Sequence, residues 1–112
     1  MERSLISETA EALVDSYRDV LCIDQFYKIK IEIIEGEFIS LCEVDINSPA
    51  SWILKINPER HTDFLDIKQS VIDCLLRIIF RYITVSEFRE EVISRIASAF
   101  STLLPDLSDD DV

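Results

Sequence analysis

The sequence predicts an α+β domain: an N-terminal helix, a three-stranded antiparallel sheet, and two C-terminal helices packed on that sheet. Three observations predict it. Apolar residues recur every three to four positions toward both ends of the chain. Between residues 26 and 56 they alternate instead. Gly36, Pro49, Pro58 and Pro105 fall between the patterned segments, where a chain turns.

The first helix is expected over about 4–21. Leu5, Ala12, Leu13, Tyr17, Val20 and Leu21 make its apolar side, and Glu8, Glu11, Asp15, Arg18 and Asp19 its polar side. Ser4 or Ser7 is the expected cap, because a short hydroxyl side chain can accept from an unpaired N–H of the first turn.

"FYKIKIEII" (26–34) puts Tyr27, Ile29, Ile31 and Ile33 on one face and Lys28, Lys30 and Glu32 on the other. "EGE" (35–37) holds the single glycine and reads as a hairpin turn into a second strand, "FISLCEVDI" (38–46). "NSPAS" (47–51) reads as a turn, and "WILKI" (52–56) as a third strand whose Trp52 packs in the core or at an edge. Asn57-Pro58 ends that strand, since proline cannot donate to the ladder.

Residues 57–64 form a polar connection, in which His61 is expected to be solvated. Asp63 or Asp66 starts the next helix, a carboxylate being favourable at the positive end of the helix dipole. That helix runs to about Tyr82. Thr84 or Ser86 caps the last one, 86–104, whose apolar face is Phe88, Val92, Ile96, Ala99, Phe100 and Leu103. Residues 1–104 are thus one domain, and 105–112 an acidic tail behind Pro105.

Charge narrows the function. Acids outnumber bases 22 to 11, a net charge of −11, which repels a phosphate backbone and disfavours direct nucleic-acid binding. It permits imitation of nucleic acid toward a basic protein partner. The carboxylates expected to do so are Glu32, Glu35, Glu37, Glu43 and Asp45 on the hairpin, and Asp106, Asp109, Asp110 and Asp111 in the tail. No apolar run is long enough for a membrane span, and the N-terminus lacks a signal-peptide core. The expected compartment is the cytoplasm, or a host's cytoplasm if the protein is viral. Cys22, Cys42 and Cys74 show no CxxC spacing and read as reduced thiols, and one Gly cannot build a phosphate loop. No cofactor is expected.

The informative stretch is "DIKQSVIDCLLRIIFRYI" (66–83), an apolar helix that keeps Asp73, Arg77 and Arg81 at helical spacing. Asp73 precedes Arg77 by four residues, the favourable order for an ion pair. The segment "SWILKINPERHTDFLDIKQSVIDCLLRII" resembles the active-site region of small SprT-like and phage-encoded metallopeptidases of the zincin class. There a tryptophan-bearing strand leads into a helix with H-E-x-x-H, whose two histidines bind zinc while the glutamate acts as general base. "FREEVISRIASAF" (88–100) is similar to the family's late helix, which implies Glu90 or Glu91 at the place of a third, carboxylate ligand. "DCLLR" departs from the motif at each diagnostic position. Asp73 stands for the first histidine, Cys74 for the glutamate and Arg77 for the second histidine.

Arginine offers only donors and cannot ligate a metal. The resemblance therefore implies a zincin-like fold whose metal site has decayed, with Asp73, Arg77 and a glutamate, joined by Arg81, filling the former cavity. The expected function is a non-catalytic, acidic protein-binding module of phage or prophage origin that inhibits a host nucleic-acid-handling or defence protein. A metallopeptidase with an atypical metal site, and a structural or oligomerisation module, stay open as alternatives.

Overall fold

The computed structural model describes residues 1–81 and 86–104, except for the side chains of residues 49, 86–89 and 92. Thr84, Pro105 and the tail carboxylates lie outside the described residues. Helix α1 (Arg3–Val20) is followed by β1 (Lys28–Ile33), β2 (Ser40–Asp45) and β3 (Ser48–Ile56). A single 3-10 turn (Pro58–Arg60) leads into α2 (Phe64–Ile79), and α3 (Ser86–Leu103) follows.

The element types agree with the sequence, but the sheet is mixed, not antiparallel. Its order is β1-β3-β2, with β1 parallel to β3 and β2 antiparallel to it. "EGE" is therefore not a hairpin. The connection out of β1 arcs over the end of β3, and Asn57 holds it there. Asn57 is 2% exposed; its Nδ2 donates to the Gly36 and Phe38 carbonyls at 2.9 and 3.0 Å. Its Oδ1 accepts from the Glu59 N–H at 3.0 Å, starting the 3-10 turn. One buried amide thus pairs backbone groups that a hairpin would have paired by itself. A side chain at position 36 would meet the Phe38 ring, which would have to move aside.

The tight turn lies one step later, at Ile46-Asn47, where Asp45 Oδ1 accepts from the Asn47 N–H at 2.9 Å. "SPAS" (48–51), expected to turn, belongs to β3. The register slips between Val44 and Asp45, so the irregularity falls beside Pro49, which has no N–H to give the ladder.

Inward alternation places Ile29, Ile31, Ile33, Trp52, Leu54, Ile56 and Cys42 toward the helices. Helix α1 packs on β1 and α2, and α2 packs on β2 and β3. Helix α3 was expected on the sheet; it packs chiefly against α2, which is left as the central element. Ile67, Val71, Ile72, Cys74 and Leu75 are each 0% exposed. Burying each large aliphatic side chain contributes roughly 1.5–3 kcal/mol, which makes α2 the core's main contributor.

The helix faces differ in detail from expectation. Helix α1 buries Ile6, Ala10, Leu13, Val14 and Tyr17, while Leu5 and Val20 face outward. Its cap is Glu2, which makes no side-chain cap bond, so neither Ser4 nor Ser7 serves. Arg18, expected outside, is 8% exposed because its Nη2 donates to the Asp24 and Tyr27 carbonyls at 2.8 and 2.6 Å. Those carbonyls belong to the turn that carries the chain from α1 to β1, and the guanidinium satisfies them. In α3 the buried residues are Ile93, Ala97 and Ser101, with Ile96 and Phe100 half-buried and Leu103 exposed. Phe88 and Val92 fall outside the described side chains.

Helix α2 begins where the sequence indicated. Asp63 and Asp66 form a capping box, the Asp63 carboxylate accepting from the Asp66 N–H at 3.0 Å. The helix ends at Ile79, with Phe80 as its cap residue, short of Tyr82.

Candidate functional site

Helix α2 is closed on most sides. Its open stripe runs through Asp66, Gln69, Asp73 and Arg77 and faces a cavity of about 510 Å3 between α2 and α3. Arg77 also borders a second cavity, of about 820 Å3, next to Cys42, Trp52 and Arg81. The guanidinium therefore stands between the two spaces.

Its partners come from two helices. Arg77 Nε donates to Asp73 Oδ2 at 2.7 Å, one turn back on α2. Nη1 and Nη2 donate to the two Glu90 oxygens of α3 at 2.6 Å each, a fork-to-fork pair. Glu90 first, and Asp73 after it, hold the Arg77 proton more tightly than in water, against the opposing effect of burial. The Asp73 and Arg77 side chains are 27% and 26% exposed, so the cluster is half-buried.

The other expected members lie elsewhere. Glu91 points away and pairs with Arg95 at 2.7 Å. Among the described residues Arg81 makes its contacts away from the cluster. It donates to the Ile78 carbonyl at 2.5 Å and to the Tyr27 hydroxyl, with its guanidinium 4.7 Å from the Tyr27 ring centre.

Cys74 turns inward, away from Arg77's carboxylates. Its Sγ lies 3.0 Å from Cys42 Sγ on β2, and the Cys74 carbonyl is 3.7 Å from the same sulfur. The Cys42 contact and burial push the Cys74 thiol well above its ordinary range. A neutral buried thiol cannot stand in for a general-base carboxylate.

Neither a family model, a curated protein nor a solved structure matches the chain.

A catalytic zinc needs three protein donors around one point. The residues present do not fit it: the position between Asp73 and Glu90 is filled by a guanidinium. Among the described residues no three His, Cys, Asp or Glu side chains gather as a metal would require.

The carboxylates expected on the hairpin are spread over the sheet. Glu43 pairs with Lys55 at 3.0 Å, and Glu35 with Arg3 at 3.0 Å. Asp45 is used in its turn, Glu32 lies beside Lys55 in register, and Glu37 is exposed. The outer sheet face is thus of mixed sign. The acids without an ion pair among the described residues include Glu8, Glu11, Asp15 and Asp19, one exposed stripe of α1.

His61 corrects the expectation of a solvated ring. It is 0% exposed, with Nδ1 2.7 Å from the Asn57 carbonyl and Nε2 2.7 Å from Ser70 Oγ. A carbonyl can only accept, so Nδ1 carries a hydrogen, and in the neutral ring Nε2 accepts from the Ser70 hydroxyl. The spacing is that of a nucleophile and its base. Ser70, however, is 4% exposed in the middle of α2, where the surrounding N–H groups are spent in the helix and none can receive an oxyanion. The pair is a latch that fixes the 57–64 connection to α2. Nothing local in the sequence announces it, because Ser70 reads as one polar position in an apolar helix.

Proposed function

We propose that this chain is a non-catalytic, acidic protein-binding module on a retired zincin-like metallopeptidase scaffold. The observation that carries the reading is the seat of Arg77. In the resemblance, positions 73, 77 and either 90 or 91 correspond to three zinc ligands, and we take the third as 90 because its carboxylate is the one that meets Arg77. Their side chains converge here, and one of them is a cation that takes the place of the metal's charge between the remaining carboxylates. Loss of the metal from such a site leaves two acids facing one another, and an arginine at the third position neutralises them. Cys74, at the position of the general base, has left the site for the core.

The partner of this module is a basic protein that handles nucleic acid, a host defence nuclease being one such class, and the source is a phage or prophage. The unpaired carboxylates of α1 support a basic partner better than the sheet does, since the sheet's acids are interleaved with lysines.

Elemental analysis of the purified protein, with thermal melting in the presence and absence of a chelator, tests the reading. It expects no stoichiometric zinc and an unchanged melt. One zinc per chain with a chelator-sensitive melt would restore the atypical metallopeptidase.

A further inference from the structure

We propose that Cys42 and Cys74 are a redox-active thiol pair, which a peroxide converts into an internal disulfide that clasps strand β2 to helix α2. The pair is not a chance neighbourhood on a surface. Cys42 lies on the inward face of β2, in register with Leu54, and Cys74 is 0% exposed on the face of α2 that meets the sheet. Their sulfurs are 3.0 Å apart, closer than ordinary contact between two sulfur atoms. A disulfide needs about 2.0 Å, so the sulfurs have roughly 1 Å to close. Both elements are held in place by the core, so the chain has already met the entropic cost of bringing the two positions together.

Access decides the order of events. Cys42 is half-buried and lines the cavity of about 820 Å3, whereas Cys74 is sealed behind it. The Cys42 thiolate attacks a peroxide oxygen. The O–O bond breaks, the sulfur becomes a sulfenic acid, and the hydroxide released takes up the proton that the Cys42 thiol gave up, leaving as the first water. Cys74 then loses its proton and attacks that sulfur. The S–O bond breaks, the S–S bond forms, and hydroxide takes up the proton as the second water. Two thiols have lost two electrons and two protons, and the peroxide has been reduced. The neutral, deeply buried Cys74 is suited to the second role, because it escapes direct oxidation until Cys42 presents a leaving group. Cys22, exposed at the end of α1, stands apart from the pair.

The test uses the full chain, first reduced and then treated with hydrogen peroxide. Thiols counted after denaturation are expected to fall from three to one. The intact mass should drop by two hydrogens with no oxygen retained, and peptide mapping should link residues 42 and 74. Cys22→Ser should still close the bond, Cys42→Ser should not, and the oxidised form should melt higher until a dithiol reductant is added. Three surviving thiols would overturn the proposal. So would oxidation that stops at Cys42 without a link to Cys74, or loss confined to Cys22 through dimer formation.

Discussion

The Arg77 guanidinium grips the Glu90 carboxylate through two hydrogen bonds of 2.6 Å, and this fork is a direct charged tie between α2 and α3. Asp73 completes it from the same helix as Arg77. An exposed pair of this kind contributes at most about 1 kcal/mol, and breaking a buried one costs about 3–5 kcal/mol. Asp73 and Arg77 are about one-quarter exposed but Glu90 is 49% exposed, so the cluster lies between these limits, nearer the exposed one.

Arg77→Ala is therefore expected to destabilise the protein by about 1–2 kcal/mol. Arg77→Lys should recover only part of the loss, because an ammonium cannot reproduce the planar fork. Urea unfolding of the three proteins checks both statements. A loss below about 0.5 kcal/mol in Arg77→Ala would mean a solvated stripe and not a filled site.

Ser70→Ala should cost more than its small size suggests. It removes the hydroxyl that pairs with His61 Nε2, and the ring is too deeply buried to find water in exchange. An unsatisfied buried group costs about 1–3 kcal/mol. Chemical denaturation measures it, and a neutral result would show that His61 does not depend on Ser70.

Acid should loosen the start of α2. The Thr62 N–H, donating to Asp66 at 3.0 Å, holds the Asp66 carboxyl below its ordinary value of 3.8, with burial opposing and the Asp63 N–H and Thr62 hydroxyl assisting. Between the folded and unfolded values the unfolded chain binds more protons, so stability rises with pH there. This contribution is complete above the ordinary value and is lost as pH falls through the lowered folded one. Unfolding midpoints at about pH 5 and about pH 3 should therefore differ less in Asp66→Asn than in the parent protein. An equal acid response in both would remove Asp66 from the explanation.

The sequence was most legible where one residue's chemistry acts locally. The Asp63–Asp66 start of α2 and the Asp73–Arg77 pair depend on spacings of three and four residues, and both stand in the structure. Strand faces were legible for the same reason, since alternation puts Ile29, Ile31 and Ile33 inward whatever lies beside them. Strand order was not. Alternation fixes which face is buried and says nothing of which neighbour pairs, and the Asn57 amide that holds the connection out of β1 over the end of β3 bonds residues about twenty positions away. His61 was misplaced because its burial rests on partners before and after it in the chain. The Cys42–Cys74 contact joins positions 32 apart, and no local pattern connects them.

The most direct test of a retired metal site is to restore it. Asp73→His combined with Arg77→His would place two imidazoles one helical turn apart, facing Glu90, with Cys74 and the core untouched. Zinc bound per chain should be measured by elemental analysis on both proteins after dialysis, with the fold of each checked by circular dichroism. A positional match to the zincin ligands predicts about one zinc in the double variant and none in the parent. Zinc on the parent, or a folded double variant that binds none, would contradict it.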